Sequence, residues 1–172
     1  DYHFPGGKTV KTGTIGTVGT TSFFPSKNLG AYGDAGALFT ADESLAEKFR
    51  MIANHGQRKR YYHELVGCNS RLDSIQAAIL NVKLPLLDEY ISSRIHAADA
   101  YDSAFAGHPN ISTPFRAPWS RHVFHQYTLV LNGADRNKLN EYLASKQIPS
   151  MIYYPVPAHK QEMFAAFGSG TQ

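Results

Sequence analysis

Residues 21–36, TSFFPSKNLGAYGDAG, constrain the fold more than any other stretch of this chain. Ser22, Phe23 and Phe24 form a short extended run. Pro25 stops it, because proline offers no ladder N–H and biases the residue before it away from helix. Lys27 follows in a polar turn, and Gly30, Gly33 and Gly36 permit backbone paths that other residues avoid. Gly36–Thr40, GALFT, then reads as an apolar strand. The segment therefore predicts strand, turn and strand, with a single lysine in the turn. Aromatic bulk before Lys27 and glycines after it would confine the amine. A confined, partly dry site disfavours an ammonium and leaves a usable nucleophile or base, as a Schiff-base lysine requires. Ser22, five residues earlier, carries a hydroxyl able to bond a phosphate on the same ligand. The same residues also allow an ordinary solvated turn lysine.

Composition narrows the partners. The chain has 172 residues, 42% of them hydrophobic and 18% charged, as in a soluble globular protein. No apolar run approaches the ~18 residues that span a bilayer, and no secretory signal opens the chain, so no membrane partner is expected. The single Cys68 excludes an intramolecular disulfide and fits a reducing, cytoplasmic setting. No Cys/His cluster has zinc-site spacing, so no metal is expected. A net charge of +3 suits an anionic ligand. The chain does not begin with Met and opens in loop-like sequence, which suggests the C-terminal part of a longer protein.

Along the chain, Pro5-Gly6-Gly7 marks a turn, and Lys8–Val10 and Thr14–Val18 read as short strands of a hairpin. Glycines 13, 16 and 19 lack the ending of a phosphate-binding loop. Asp42 is placed to cap a helix with an apolar stripe of Leu45, Phe49, Ile52 and Ala53, stopped near Gly56. Asn54–Leu72 reads as a polar loop. Its Arg58, Lys59 and Arg60 beside Tyr61, Tyr62 and His63 suit either a solvated face or a nucleic acid. Asp73 with Gln76 resembles a capping box that opens a long helix, with Ile75, Ala78, Ile79 and Val82 as its buried face. Pro85 kinks or divides that helix. We place a domain boundary there: residues 1–85 end a large domain, and 86–172 form a small α/β domain joined by the long helix. His122–Leu131 reads as the clearest strand, which would put His122 and His125 on opposite faces. Asp135 caps a helix over Arg136–Lys146, with Leu139, Tyr142 and Leu143 inward. Ile148–Tyr154 reads as another strand, His159–Phe167 as a last helix and Gly168–Gln172 as a frayed tail. Alternating strands and helices after residue 108 suggest a small α/β sandwich.

The order S-F-F-P-S-K-N-L-G-x-Y-G-D-x-G resembles the lysine segment of the DegT/DnrJ/EryC1/StrS family of nucleotide-sugar aminotransferases, which use pyridoxal phosphate. Two more segments match in the same order. One runs from Gly67 to Ala78, GCNSRLDSIQAA; the other from Ile152 to His159, IYYPVPAH. The likeness implies an α/β protein of PLP-dependent transferase fold type I, represented by the C-terminal part of the large domain and the small C-terminal domain. It implies that Lys27 bonds the cofactor aldehyde, that Ser22 bonds the cofactor phosphate, and that Asn69 reaches the phosphate of the neighbouring subunit in a homodimer with shared sites. Arg71 would meet an acidic group of the sugar nucleotide, or else form an ordinary ion pair. Tyr153, Tyr154 and His159 would border the sugar-nucleotide site, or else the two tyrosines pack in a core or interface. One branch of the family carries histidine in place of the lysine and dehydrates sugars; Lys27 favours the aminotransferase branch.

The closest flavour is that of aminotransferases acting on UDP-linked 3-oxo-N-acetylglucosaminuronate in surface-polysaccharide (O-antigen) synthesis, with L-glutamate as amino donor. The family's E-D-x-A-Q/H motif, whose aspartate pairs with the pyridine nitrogen, does not occur in this sequence, so the 172 residues alone are expected to be inactive. The competing expectation is a non-catalytic sugar-nucleotide-binding or dimerisation remnant of the family.

Overall fold

The computed structural model describes residues 1–167 and divides the chain into two units. The first comprises residues 1–107 and 113–129, the second residues 108–112 and 130 onward. The tail at 168–172 lies outside the described residues.

In the first unit β1 (Tyr2–His3) pairs antiparallel with β2 (Thr9–Val10). The hairpin expected from residues 8–18 is thus displaced: its partner strand lies before Pro5, and the next strand starts only at Gly19. β3 (Gly19–Ser22) and β4 (Gly36–Phe39) pair antiparallel, with Ser22 opposite Gly36 and Thr21 opposite Ala37. The strand–turn–strand order around Lys27 stands, but the first strand lies earlier than expected: of Ser22, Phe23 and Phe24 only Ser22 belongs to it. α1 (Glu43–Ala53) starts where Asp42 accepts from the Ser44 and Leu45 amides at 2.8 and 3.2 Å. That is the N-cap arrangement, which satisfies donors the first turn leaves orphaned. The chain leaves α1 through Gly56 at φ +74°, which sits so close to the Leu65 carbonyl that no Cβ would fit. Within the expected loop 54–72 a small hairpin forms from β5 (Gln57–Lys59) and β6 (Tyr62–His63).

The long helix is divided at Pro85 as expected. α2 (Ser74–Lys83) runs through a 3-10 turn at Leu84–Leu86 into α3 (Leu87–Phe105). Two features of α2 differ from the sequence reading. Asp73 makes no side-chain cap bond. The inward face is also only partly the expected one: Ile79 turns toward protein as expected, but Ile75 and Val82 are each 73% exposed and Ala78 is exposed, whereas Gln76, Leu80 and Lys83 turn inward. The core of this unit is thin. Its buried apolar residues are Ala31, Met51, Leu80, Ile91, Ala98 and Phe124.

The strand expected over His122–Leu131 does not form. Only Val130–Leu131 is extended, as β8, and it pairs with β7 (Ile111–Ser112) in the second unit. Residues 122–129 instead follow an irregular path in the first unit. Phe124 takes φ +44°, its amide donates to His122 Nδ1 at 3.0 Å, and its ring is buried. Arg94 on α3 donates to the carbonyls of Phe124 and His125 at 3.2 and 3.3 Å, which occupies acceptors that a neighbouring strand would need.

The second unit holds β7, β8 and α4 (Arg136–Ser145), capped by Asp135 through the Asn137 and Lys138 amides. Leu139 and Leu143 are half-buried, but Tyr142 is exposed. The expected strand at 148–154 and the sandwich built on it are absent among the described residues. The segment is irregular and leads to short 3-10 turns at Ala158–Lys160 and Glu162–Phe167. Among the described residues no helix is long and apolar enough to cross a membrane.

Candidate active site

The lysine turn is closed by its own backbone. The Lys27 amide donates to the Phe24 carbonyl at 2.8 Å, a β-turn with Pro25 at the position where its fixed φ is pre-set. Phe23 then ties both arms: its amide donates to Ala35 and its carbonyl accepts from Ala31, each at 2.7 Å. Gly30 packs on the turn so tightly that a Cβ there would stand 2.4 Å from the Pro25 carbonyl oxygen. Lys27 is half-buried, and among the described residues its amine makes no hydrogen bond or ion pair. Phe24 is half exposed, so the aromatic wall expected on that side is incomplete.

Two residues beside Lys27 were given no role at this site by the sequence. Asn28 donates to the Val123 carbonyl at 3.0 Å, which fastens the turn to the 122–125 segment; its Oδ1 is buried without a partner. His125 Nδ1 is likewise buried and unpartnered. Burial holds the imidazole below the usual histidine range, and the positive charges of Lys27 and then Arg94 add to that effect. The ring is therefore neutral near pH 7. The sign for stability follows. The folded form resists a proton that the unfolded chain accepts near pH ~6.5, so stability present above that value is lost as pH falls through the lower folded value. A thermal-melting series from pH 7.5 down to 5.5 should show a smaller decline for His125→Gln than for the unsubstituted chain. Sequence could have flagged Asn28 by its adjacency to Lys27; nothing local marks His125.

Pyridoxal phosphate presents an aldehyde, a phosphate and polar ring substituents, and the lysine turn fits it. A half-buried amine stands free of partners. Ser22 Oγ accepts from the Phe24 amide at 3.2 Å, which leaves the hydroxyl proton to donate. The unpartnered Asn28 and His125 atoms add an acceptor and a ring nitrogen.

Asn69 and Arg71 form a second pair. The 68–70 segment is zipped onto the end of α1 through Cys68 N to Ile52 O, His55 N to Cys68 O and Ser70 N to Ala53 O. Arg71 Nε donates to Asn69 Oδ1 at 2.9 Å, so the Asn69 amide NH2 stays available. Arg71 has no carboxylate partner among the described residues; it lines a cleft of about 950 Å3 between the β3–β4 hairpin and α1. No hydrogen bond joins this pair to Ser22 or Lys27. In the second unit Tyr153 and Tyr154 are exposed, which removes the core-packing alternative there. Their rings meet edge to face at 5.6 Å across a cis peptide bond. His159 is exposed in a 3-10 turn.

The basic run at 58–60 is largely engaged locally. Arg58 is ion-paired to Glu47 and Glu64 at 3.1 and 3.3 Å, and Lys59 and Arg60 lie over the Tyr62 and Tyr61 rings. That leaves little for a phosphate backbone.

Paired strands joined by the lysine turn and followed by helices are what an α/β chain shows. The chain belongs to the DegT/DnrJ/EryC1/StrS aminotransferase family, whose pattern matches residues 6–171. It is similar to a "pleiotropic regulatory protein" of Geobacillus stearothermophilus, at 46% identity over 91% of this chain and 42% of that protein. It is also similar to the UDP-2-acetamido-2-deoxy-3-oxo-D-glucuronate aminotransferase of Pseudomonas aeruginosa, at 44% identity over 88% of this chain and 41% of that protein. Among solved structures, DesV of S. venezuelae in complex with a ketimine intermediate superposes with a TM-score of 0.83 at 41% identity, over 88% of this chain and 40% of DesV. The chain thus spans about two fifths of the length of these relatives. Pyridoxal phosphate or its amine form is bound in solved proteins of this fold.

Proposed function

We propose that this chain carries the lysine-bearing part of a pyridoxal-phosphate-dependent enzyme that transfers an amino group from L-glutamate to a nucleotide-linked keto sugar. The observation that carries the reading is the partner-free Lys27 amine on the β3–β4 turn, in a member of an aminotransferase family. Lys27 would hold the cofactor through its aldehyde, and Ser22 would donate its hydroxyl to the phosphate. Asn69 would extend its amide NH2 to the phosphate of a neighbouring subunit, in a homodimer with shared sites. When bound, pyridoxal phosphate supplies the electron sink for cleaving the Cα–H bond of an amino acid. With the cofactor bound, the Lys27 amine would be the group placed to carry that Cα proton, as base and then acid. Neutral His125 keeps further positive charge away from this amine, and Asn28 fixes the turn that aims it.

The substrate we favour is the UDP-linked 3-oxo-N-acetylglucosaminuronate of a surface-polysaccharide pathway, taken up by a cytoplasmic enzyme. A sugar carboxylate would give Arg71, which lacks an acidic partner, two oxygens to bind. Tyr153, Tyr154 and His159 would line the nucleotide-sugar side. The test is to incubate the full-length protein with glutamate and a panel of UDP- and dTDP-keto sugars and to follow 2-oxoglutarate. Release with the 3-oxo uronate supports the proposal. Release with none of the panel sinks it.

A second reading, a ligand-binding protein without catalysis, draws support from the regulatory name of the Geobacillus relative. It predicts a colourless protein even after pyridoxal phosphate is added.

A further inference from the structure

Helix α2 is tied to the lysine loop by two polar side chains. Gln76 Oε1 accepts from the Tyr32 amide at 2.8 Å. Lys83 Nζ donates to the Gly30 carbonyl at 2.7 Å and stands 4.6 Å from the centre of the Tyr32 ring. Gln76 and Lys83 are seven residues apart, two helical turns along one face. The approach at Gly33 is close, since a Cβ there would lie 3.1 Å from Gln76 Nε2. Ala31, between the two anchored residues, is fully buried and donates to the Phe23 carbonyl. A glutamine three residues after Asp73 would ordinarily serve the helix start. Here the cap bond is missing, and the side chain reaches the loop instead.

We infer that Gln76 and Lys83 are positioning residues for Lys27: together they clamp residues 30–33 to α2, and so fix the arm against which the lysine turn closes. The mechanical link is short. Lys83 holds the Gly30 carbonyl, Gly30 packs on the Pro25 carbonyl, and Pro25 sits inside the turn that ends at Lys27. Both bonds end on backbone groups of a segment that has no strand partner. A charged donor on a half-buried carbonyl is among the stronger single hydrogen bonds available to a loop. The same helix begins three residues after Arg71, so the segment that holds the Asn69–Arg71 pair leads directly into the element that carries the clamp.

The role in catalysis rests on the proposed transamination; the clamp itself does not, and the test separates the two. Amide exchange of residues 23–36 is measured on the cofactor-free full-length protein for Lys83→Met and Gln76→Leu. Lys83→Arg and Gln76→Glu serve as rescuing variants, and Val82→Ala, at an exposed position of the same helix, as a control. Exchange across 27–34 is expected to rise roughly tenfold in the first two variants, because one anchoring bond is lost. It should return toward the original in the rescuing pair and not move in the control. In the transamination assay kcat should fall with Lys83→Met while KM for the keto sugar holds, and Lys83→Arg should restore kcat. Unchanged exchange in both Lys83→Met and Gln76→Leu overturns the clamp. Faster exchange with unchanged kcat overturns the positioning role. Faster exchange in a protein that never transaminates refutes the proposed function and leaves the clamp standing.

Discussion

Lys27→Ala is expected to abolish both covalent cofactor attachment and turnover. The amine is half-buried, free of hydrogen bonds and ion pairs, and held on a turn closed at 2.8 Å by its own amide. Nothing else in the turn carries an amine that could condense with an aldehyde to an imine: Ser26 and Asn28 flank it, and the Asn28 Nδ2 is engaged with Val123. Loss of a positioned proton carrier lowers turnover by about 10²–10⁴-fold, and loss of the covalent anchor adds to that. The decisive measurement is reduction of the cofactor-loaded full-length protein with borohydride, followed by peptide mass analysis. The tag should fall on Lys27, and the visible absorbance of the loaded protein should vanish in the variant. A tag on Lys83, the other amine close to this turn, would reassign the site. Circular dichroism should be unchanged, because the Lys27 side chain contributes no bond to the fold.

Much of this site is legible in residues 21–36 because its determinants are local. Proline fixes a turn, an apolar run marks β4, and Asp42 and Asp135 announce α1 and α4 by accepting from the amides two and three residues on. Misreadings occur where a distant group decides. HVFHQYTLVL has every local mark of a strand, yet Arg94, thirty residues away, takes two of its carbonyls, and most of the segment stays irregular. The apolar stripe of α2 predicts its inward face only in part: Ile79 is inward, but Gln76 and Lys83 also turn in, because both have backbone partners in the lysine loop. His125 reads in the sequence only as a residue of an expected strand, for the same reason. Its ring is ordinary in sequence and becomes distinctive only once burial, Lys27 and Arg94 surround it. Ile75 and Val82 are left exposed in consequence.

The second large effect is expected from Gly30→Ala, a single methyl group. The new Cβ would lie 2.4 Å from the Pro25 carbonyl oxygen, 2.8 Å from its carbon and 3.0 Å from the Phe24 oxygen. All three are backbone atoms of the turn that carries Lys27, so none can swing aside as a side chain would. Relief requires either opening the Phe24–Lys27 turn or pulling Gly30 off Lys83, whose bond to the Gly30 carbonyl is 2.7 Å long. Overpacking of this kind costs about 1–3 kcal/mol. Displacing the amine by even ~1 Å lowers turnover by roughly 10²-fold. Gly33→Ala meets only the end of the Gln76 side chain, at 3.1 Å, and should be milder. Gly16→Ala meets one atom at 3.8 Å and should be neutral. Denaturant titration and borohydride tagging of the three variants give the order directly. If Gly30→Ala tags as efficiently and melts at the same temperature as Gly16→Ala, then the turn is not closed by that contact, and the route from α2 through Gly30 to Lys27 does not exist.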